Sequence, residues 1–129
     1  QTILPKLKTD LFDVILACCE GNLSNLKIEW RNKKSLCIVL CSKGYPDNYI
    51  KQSKIQNLNI LKKEKDTHIY HAGTLNKNNT IISNGGRVLN ITSISDEYKL
   101  SREKVISIIK KLNWKDGFFR KDIGFKIIK

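Results

Sequence analysis

The strongest constraint on the fold of this chain comes from two short apolar segments within residues 67–92, each of which borders on glycine. Residues 69–72 run directly into Gly73, and residues 88–92 follow Gly85, Gly86 and Arg87. Apolar runs of four to eight residues bounded by glycine and polar turn residues are typical of β-strands. We therefore predict two strands here, separated by a polar turn region.

The junctions between these strands and their glycines carry polar groups that suit an anion. Glycine allows close backbone approach or a positive φ, and successive backbone N–H groups in a turn form an anion-binding concavity. The Arg87 guanidinium adds a planar fork that matches a carboxylate or a phosphate. Ordinary hairpin turns also use glycine in this way, so the residues alone leave both interpretations open.

The remaining elements follow from hydrophobic periodicity. A helix is predicted from an N-cap at Thr9 to Glu20, and a long helix from a cap at Ser95 or Asp96, with its apolar stripe at Val105, Ile108, Ile109 and Leu112. The predicted strands are residues 26–31, 36–41, 55–60, 69–72, 81–83, 88–92 and a final segment 118–129, in which Phe119 and Phe125 pack and Arg120 pairs with Asp122. Residues 26–31 and 36–41 are expected to form a hairpin, residues 62–66 a charged surface turn and residues 75–80 a hairpin loop.

The order helix, strands, helix, final strand predicts an α+β domain with a mostly antiparallel sheet flanked by two main helices. The nearly continuous apolar run 36–41 is predicted to lie centrally in that sheet. We expect residues 1–129 to form a single domain. No run approaches the roughly 20 apolar residues that span a bilayer, so no membrane partner is expected. The chain begins with Gln1, which suggests that it is processed, truncated or cut from a longer protein.

The charge balance and the cysteines narrow the class of protein. The net charge of +12 fits nucleic-acid binding, but the lysines are spread along the chain without interleaved aromatic stacking platforms. Genome composition explains the bias better, so a nucleic-acid partner is not expected. Four cysteines lack zinc-site spacing. We expect buried, reduced thiols, no metal ligands and a cytoplasmic location.

The loop formed by residues 42–51 follows the central strand directly and contains Gly44, Tyr45, Pro46, Tyr49 and Lys51. Loops at strand ends often carry binding residues. Taken alone, the composition of this loop favours a solvated turn whose tyrosines cover the edge of the core.

Taken in order, these motifs resemble one family over essentially the whole chain. They are Leu4-Pro5-Lys6-Leu7-Lys8-Thr9-Asp10-Leu11, Gly44-Tyr45-Pro46 with Tyr49 and Lys51, His71-Ala72-Gly73-Thr74, Gly85-Gly86-Arg87-Val88-Leu89, and Arg120-Lys121-Asp122-Ile123-Gly124. The set resembles the C-terminal part of the phosphoribosylamine–glycine ligases (glycinamide ribonucleotide synthetases), a family of ATP-grasp enzymes.

The resemblance implies a function for the whole enzyme. Members join glycine to 5-phosphoribosylamine through a glycyl phosphate, with ATP becoming ADP and phosphate, early in purine biosynthesis. ATP and Mg²⁺ or Mn²⁺ are the implied cofactors, and none is expected to be held by this chain alone. The implied partners are the N-terminal and ATP-grasp domains, which this sequence does not contain. A stand-alone basic module that binds nucleotides or nucleic acid is the alternative.

The resemblance also implies roles for particular residues. Gly85, Gly86 and Arg87 would bind the anionic part of glycine or of the ribosyl phosphate. His71, Gly73 and Thr74 would position the substrate, and Tyr49 and Lys51 would reach the phosphate or a closing ATP-grasp lid. Asp47 and Gln52 stand where the family usually has glycine, so the loop is expected to adopt positive φ less readily.

Overall fold

A computed structural model describes residues 1–59 and 64–128 of the chain. Within these ranges the α-helices are α1 (Leu11–Cys19) and α2 (Tyr98–Lys111). The strands are β1 (Lys34–Ser42), β2 (Thr67–His71), β3 (Thr74–Lys77), β4 (Thr80–Ser83), β5 (Arg87–Ser95) and β6 (Gly117–Phe118). Short 3-10 helices lie at Leu4–Lys6 and Leu23–Asn25.

The strands form a four-stranded sheet in the order β2-β5-β1-β6 and a separate β3-β4 hairpin. Every pairing between these strands is antiparallel. The predicted α+β class with an antiparallel sheet is therefore confirmed. The apolar run 36–41 lies within β1, which pairs on both sides, so its central position is also confirmed.

The core lies between the sheet and α2. Side chains of directly paired residues share a face of an antiparallel sheet. The pairs Ile38↔Ile91 and Leu40↔Leu89 therefore point to the same side, where Val105 joins the buried cluster. Fully removing such side chains from water contributes about 1.5–3 kcal/mol each.

The opposite side, here called the open face, consists of Cys37, Val39, Cys41, Tyr70, Arg87 and Asn90. Pairing of Val39 and Tyr70 with Asn90 aligns three of these side chains across β1, β5 and β2. A register shift between Leu40 and Cys41 brings Cys41 opposite Arg87. The helix α2 packs against the other face, whereas several side chains of this face line cavities, so it is a surface available for a ligand.

Two predicted strands are wrong. Residues 26–31 form only the isolated bridge Leu7↔Trp30, and β1 pairs with β5 and β6 instead of making the expected hairpin. Within the segment predicted at 55–60, Gln56 forms an isolated bridge to Asn113, whereas Lys54 just before the segment bridges to Ile82 of β4. Residue 60 lies outside the described residues. Residues 26–31 have the alternation of a strand, but among them only Trp30 has a bridge partner.

Two loop and strand boundaries also differ from the prediction. The expected hairpin loop 75–80 contains most of β3 and a two-residue turn at Asn78 and Asn79, which have φ of 49° and 59°. Asparagine tolerates this left-handed conformation, so a tight turn suffices. The final strand ends at Phe118. Phe119 packs against the core as predicted, whereas Phe125 is 59% exposed.

The helix caps are shifted from their predicted positions. Asp10 rather than Thr9 caps α1, by accepting a hydrogen bond from the Phe12 N–H. Glu97 is the N-cap of α2, and its side chain makes no cap hydrogen bond. The Ser95 hydroxyl, at one of the two predicted cap positions, donates to the Glu97 carbonyl. The charged turn predicted at 62–66 lies partly outside the described residues.

The cysteines are only partly as expected. Cys18 and Cys19 are exposed on α1, so the prediction of buried thiols is wrong for this pair. Cys37 and Cys41 are half-buried on the open face. None of these thiols is in a disulfide, and no described helix is long and apolar enough to cross a membrane.

Candidate functional site

A cavity of about 540 Å³ lies on the open face, where β1 and β5 meet the loop 43–53. Its lining includes Val39, Tyr45, Ala72, Gly86, Arg87 and Asn90. Polar side chains from the loop (Tyr45), from β5 (Arg87 and Asn90) and from the N-terminus (Gln1) therefore converge on one concave surface. This combination of a concavity and convergent polar groups is characteristic of small-molecule sites.

Close packing of glycine backbones shapes the edge of this cavity. A Cβ atom on Gly73 would lie 2.8 Å from the Gly85 Cα and 2.7 Å from the Arg87 carbonyl oxygen. Neither Gly73, Gly85 nor Gly86 is among the glycines with positive φ. Gly73 and Gly85 require glycine for close approach of one backbone segment to the other, and Gly86 requires it for close approach of the Tyr45 ring. Of the two uses of glycine considered in the sequence analysis, close approach therefore applies here and positive φ does not.

The turn that precedes Arg87 is held by β1. The backbone N–H of Ser42 donates to the Gly86 carbonyl at 2.8 Å, and the Ser42 hydroxyl donates to the Gly85 carbonyl at 2.9 Å. The Ser42 side chain is fully buried. Both glycine carbonyls are thereby satisfied within the protein, and the start of β5 is fixed in position beside the cavity.

Arg87 has an exposed side chain at the entrance of the cavity. Among the ion pairs formed by residues 1–59 and 64–128, none involves the Arg87 guanidinium. Pairing with a structural carboxylate would have explained this arginine without a ligand. Its free guanidinium instead retains donors for a carboxylate or a phosphate.

Cys41 lies beside Arg87 but is unsuited to nucleophilic chemistry. Burial raises the pKa of the Cys41 thiol, and the positive charge of Arg87 only partly opposes this shift. The reactive form of cysteine is the thiolate. Because this thiol stays protonated at neutral pH, the site is better suited to binding than to covalent catalysis.

The structure brings His71 and Thr74 together but does not place them in the cavity lining. The His71 Nδ1 atom and the Thr74 hydroxyl are 2.9 Å apart across the Ala72–Gly73 turn. Ala72 lies between them in sequence and does line the cavity. The two polar residues therefore flank the site from the end of β2 and the start of β3.

Tyr49 and Lys51 flank the cavity on the other side, through Tyr45. The Lys51 ammonium lies 5.3 Å from the centroid of the Tyr49 ring, and the Tyr49 and Tyr45 rings meet edge to face at 6.3 Å. Such contacts each contribute about 0.5–1.5 kcal/mol. The loop thus orders its aromatic residues and one lysine next to the cavity.

Gln52 ends this loop in the left-handed conformation, with φ of 59°. Its N–H donates to the Ser83 carbonyl at 2.7 Å. The family usually has glycine at this position, so the sequence analysis expected the loop to adopt a positive φ less readily. The loop nevertheless keeps a positive φ with glutamine, at a local cost of roughly 1–2 kcal/mol.

The sequence analysis missed Tyr45 and Asn90 as site residues. The Tyr45 ring covers Gly86 so closely that a Cβ there would lie 2.1 Å from a ring carbon. Asn90 is 6% exposed in the middle of β5 and lines the cavity. The sequence signal that points to Asn90 is an amide placed between Leu89 and Ile91, the only amide in β5. The position of Tyr45 depends on the fold of the loop.

A second, more apolar cavity of about 350 Å³ adjoins the first and shares Val39, Tyr45 and Arg87 with it. It extends toward Phe119 and Arg120. As predicted, Arg120 pairs with Asp122, with 2.6 Å between Nη2 and Oδ2. The hydrogen bond from Arg120 holds the pKa of Asp122 below its usual value. Arg120 is therefore engaged in local structure, in contrast to Arg87.

The loop that carries Tyr45, Tyr49 and Lys51 is closed at its base by Asp116. The Lys43 N–H donates to the Asp116 carbonyl at 2.8 Å, and the Ser53 hydroxyl donates to the Asp116 carboxylate at 2.7 Å. Both ends of the loop are thus joined to one residue ahead of β6. This arrangement holds the loop over Gly86.

Asp116→Ala is expected to lower the free energy of unfolding by about 1–2 kcal/mol, because it removes the acceptor of the half-buried Ser53 hydroxyl. Chemical denaturation of the chain measures this change. Asp96→Ala is the matched control, since its exposed pair with Lys33 should contribute less than about 1 kcal/mol. Equal effects of the two substitutions would show that Asp116 does not hold the loop.

The described residues offer no evident metal centre. Among residues 1–59 and 64–128, no group of three or more histidine, cysteine, aspartate or glutamate side chains could hold an ion. The residues present therefore do not fit a Mg²⁺ or Mn²⁺ site. Arg87, beside a partly apolar wall, offers N–H donors of the kind that suit an anion.

The structure is a small α+β domain, in which one helix packs against an antiparallel sheet. Its candidate anion-binding cavity contains the free Arg87 side chain beside turns whose glycine backbones pack closely. Residues 35–126 match the family described as phosphoribosylglycinamide synthetase, C domain. The chain belongs to this family. The match includes every strand that forms the open face.

Individual relatives agree with this assignment. The chain is 44% identical over 124 residues to the phosphoribosylamine–glycine ligase of Caldanaerobacter subterraneus subsp. tengcongensis, covering 96% of this chain and 29% of the relative. It is 43% identical to the bifunctional purine biosynthetic protein purD of Dictyostelium discoideum, covering 99% of this chain and 16% of the relative. The chain thus spans less than a third of the length of these relatives.

A solved structure supports the fold. The crystal structure of phosphoribosylamine–glycine ligase from Thermotoga maritima superposes with a TM-score of 0.66 at 24% sequence identity. The superposition covers 85% of this chain and 27% of the Thermotoga chain. This chain therefore has the fold of a part of the Thermotoga chain.

Proposed function

We propose that this chain is the C-terminal part of an ATP-dependent ligase that joins glycine to 5-phosphoribosylamine in purine biosynthesis. The products are glycinamide ribonucleotide, ADP and phosphate. The observation that carries the proposal is the free guanidinium of Arg87 in a cavity of a chain 44% identical to a phosphoribosylamine–glycine ligase. Both substrates carry an anionic group, the carboxylate of glycine and the phosphate of the ribosyl amine.

Arg87 binds one of these anionic groups in the proposed site. Its guanidinium supplies a pair of parallel N–H donors, a geometry that fits either oxyanion. The Gly86 backbone and the Tyr45 ring form the adjacent wall, so the bound group lies against a surface with little freedom to move. This rigidity fixes the orientation of the substrate relative to the rest of the ligase.

The flanking residues extend the site in this proposal. His71 and Thr74, which flank Gly73 in sequence, position the substrate by hydrogen bonds. The close packing of Gly73 and Gly85 keeps this turn near Arg87. Tyr49 and Lys51 add an aromatic surface and a positive charge on the loop side. The net charge of +12 favours the approach of phosphorylated substrates in general.

ATP and its metal ion are held elsewhere in the proposed ligase, since the described residues do not fit a metal site. The role of this chain is to bind substrate and to exclude water from the reacting groups, which matters for any intermediate that hydrolyses easily. A cytoplasmic location stays a prediction. The similarity to a ligase domain favours this function over a stand-alone nucleic-acid module.

An assay of the longest gene product that contains this chain tests the proposal. We expect ADP release that requires both glycine and phosphoribosylamine, with glycinamide ribonucleotide detected by mass spectrometry. The 129-residue chain alone should show no turnover, because the proposed ATP and metal site lies in another part of the ligase. A gene product that releases no ADP when glycine and phosphoribosylamine are both supplied would contradict the proposal.

A further inference from the structure

Asn90 is the one amide of β5, and it lies almost completely buried in the middle of the four-stranded sheet. The residue is 6% exposed, and it pairs with Val39 of β1 on one side and with Tyr70 of β2 on the other. Burying a polar group is unfavourable unless the group forms hydrogen bonds. An amide at this position therefore requires a hydrogen-bond partner, whereas an apolar residue would not.

The domain does not supply that partner. Within the part of the chain that the structure describes, no side-chain hydrogen bond involves the Asn90 amide. Asn90 instead lines the cavity of about 540 Å³ that also contains Arg87. The two N–H donors and the carbonyl acceptor of the amide are therefore available to a molecule in this cavity.

The register of the sheet sets the distance between Asn90 and Arg87. Arg87 lies opposite Cys41. Asn90 lies opposite Val39, so the two positions are two residues apart along β1 and three along β5. At the rise of a β-strand this is roughly 7–10 Å between the backbones. A ligand that contacts both side chains must carry its anionic group and its second polar group at separate ends.

Of the two proposed substrates, the ribosyl phosphate fits this spacing better. The ammonium and the carboxylate of glycine are attached to one carbon atom, so glycine is short for two anchors that are this far apart. In 5-phosphoribosylamine several bonds separate the phosphate from the hydroxyls of the ring. Its phosphate can therefore pair with Arg87 while its hydroxyls reach Asn90.

The hydrogen-bonding pattern of an amide also suits a sugar. A hydroxyl both donates and accepts, and an amide offers both an acceptor oxygen and N–H donors. A phosphate or a carboxylate only accepts, so either group would leave the Asn90 carbonyl without a partner. Only 5-phosphoribosylamine of the two substrates carries hydroxyl groups.

We propose that Asn90 binds the ribose hydroxyls of 5-phosphoribosylamine while Arg87 binds its phosphate, so that this cavity receives the ribosyl phosphate and not glycine. The inference rests on the proposed function and specifies which of its two substrates occupies the site. Val39, which is 37% exposed, adds an apolar surface for the C–H face of the sugar ring. Asn90 is thus a substrate-binding residue that selects a hydroxylated anion.

Calorimetric titration of the full-length gene product with ribose 5-phosphate, inorganic phosphate and glycine tests the inference. We expect Asn90→Ala to weaken the binding of ribose 5-phosphate by about 10-fold or more, because hydrogen bonds to its hydroxyls are lost. The affinities for inorganic phosphate and glycine should not change. Asn76→Ala is the matched control, because Asn76 is an exposed asparagine of β3, and it should leave all three affinities unchanged.

The unfolding midpoint of the ligand-free, full-length protein separates a ligand-binding role from a structural one. Leucine is similar in size to asparagine and apolar. Asn90→Leu therefore removes an unsatisfied buried amide, and we expect the midpoint to stay the same or to rise. An amide that is hydrogen-bonded within the protein would instead lower the midpoint when it is replaced.

Three results would overturn the inference. These are equal affinities of the wild-type and Asn90→Ala proteins for ribose 5-phosphate, an equally large loss of affinity for inorganic phosphate, and a lower unfolding midpoint of Asn90→Leu. The ligase assay separates the two proposals. Turnover together with unchanged ribose 5-phosphate binding in Asn90→Ala would contradict only the role of Asn90. Weakened ribose 5-phosphate binding in a gene product without turnover would contradict only the function.

Discussion

Arg87→Ala in the full-length protein is expected to raise the Michaelis constant for either glycine or phosphoribosylamine by about 10- to 100-fold. Hydrogen bonds to charged groups contribute about 1.5–3 kcal/mol, and among the described residues that line the cavity Arg87 has the only charged side chain. The larger effect should fall on the substrate whose anionic group occupies the cavity. Initial-rate kinetics with each substrate varied in turn identifies it.

Two control variants make the Arg87 result specific. Arg87→Lys should give an intermediate Michaelis constant, because lysine retains the charge but loses the planar fork. Arg120→Ala removes the other arginine of the adjoining cavity, which is already paired with Asp122, and should change the Michaelis constants less. Unchanged kinetics in the Arg87→Ala enzyme would eliminate this residue from the site.

Gly73→Ala is expected to destabilise the domain by about 1–3 kcal/mol, the usual cost of forcing extra volume into a packed region. The new methyl group would meet only backbone atoms, the Arg87 carbonyl oxygen at 2.7 Å and the Gly85 Cα at 2.8 Å. Backbone atoms of a paired strand cannot rotate aside as a side chain does. Thermal or chemical unfolding of the chain measures the loss.

Gly86→Ala provides the comparison for Gly73→Ala. Its methyl group would meet the Tyr45 ring at 2.1 Å, and a side chain can be removed. Adding Tyr45→Ala should therefore relieve much of the Gly86→Ala clash, whereas it should not help Gly73→Ala. Similar behaviour of the two glycine variants in the Tyr45→Ala background would contradict this account of the packing.

The sequence predicted the central strands and the long helix because their apolar residues are dense. Residues 36–41 lie in β1 and residues 88–92 in β5, and both strands are buried against α2. Residues 26–31 were wrongly predicted to form a strand. Alternation of apolar and polar residues indicates which side chains face inward, but it does not identify a strand with which the segment can pair. Trp30 has only Leu7 opposite it.

Glycine and arginine were the parts of the site that the sequence could indicate. Gly86 and Arg87 do line one cavity. Asn90 and Val39 line the cavity together because the register of β1 and β5 pairs them. Arg87 lies on the open face opposite Cys41 because that register shifts between Leu40 and Cys41. These long-range pairings are not encoded in any local motif, so only the folded structure reveals them.

Direct binding to the Arg87 cavity is the most informative measurement. Calorimetric titration of the full-length protein with glycine and, separately, with ribose 5-phosphate should show binding of at least one ligand. We predict that Arg87→Ala weakens that binding at least 10-fold and that Arg120→Ala does not. Equal affinities of the wild-type and Arg87→Ala proteins for both ligands would contradict the claim that this cavity binds the anionic group of a substrate.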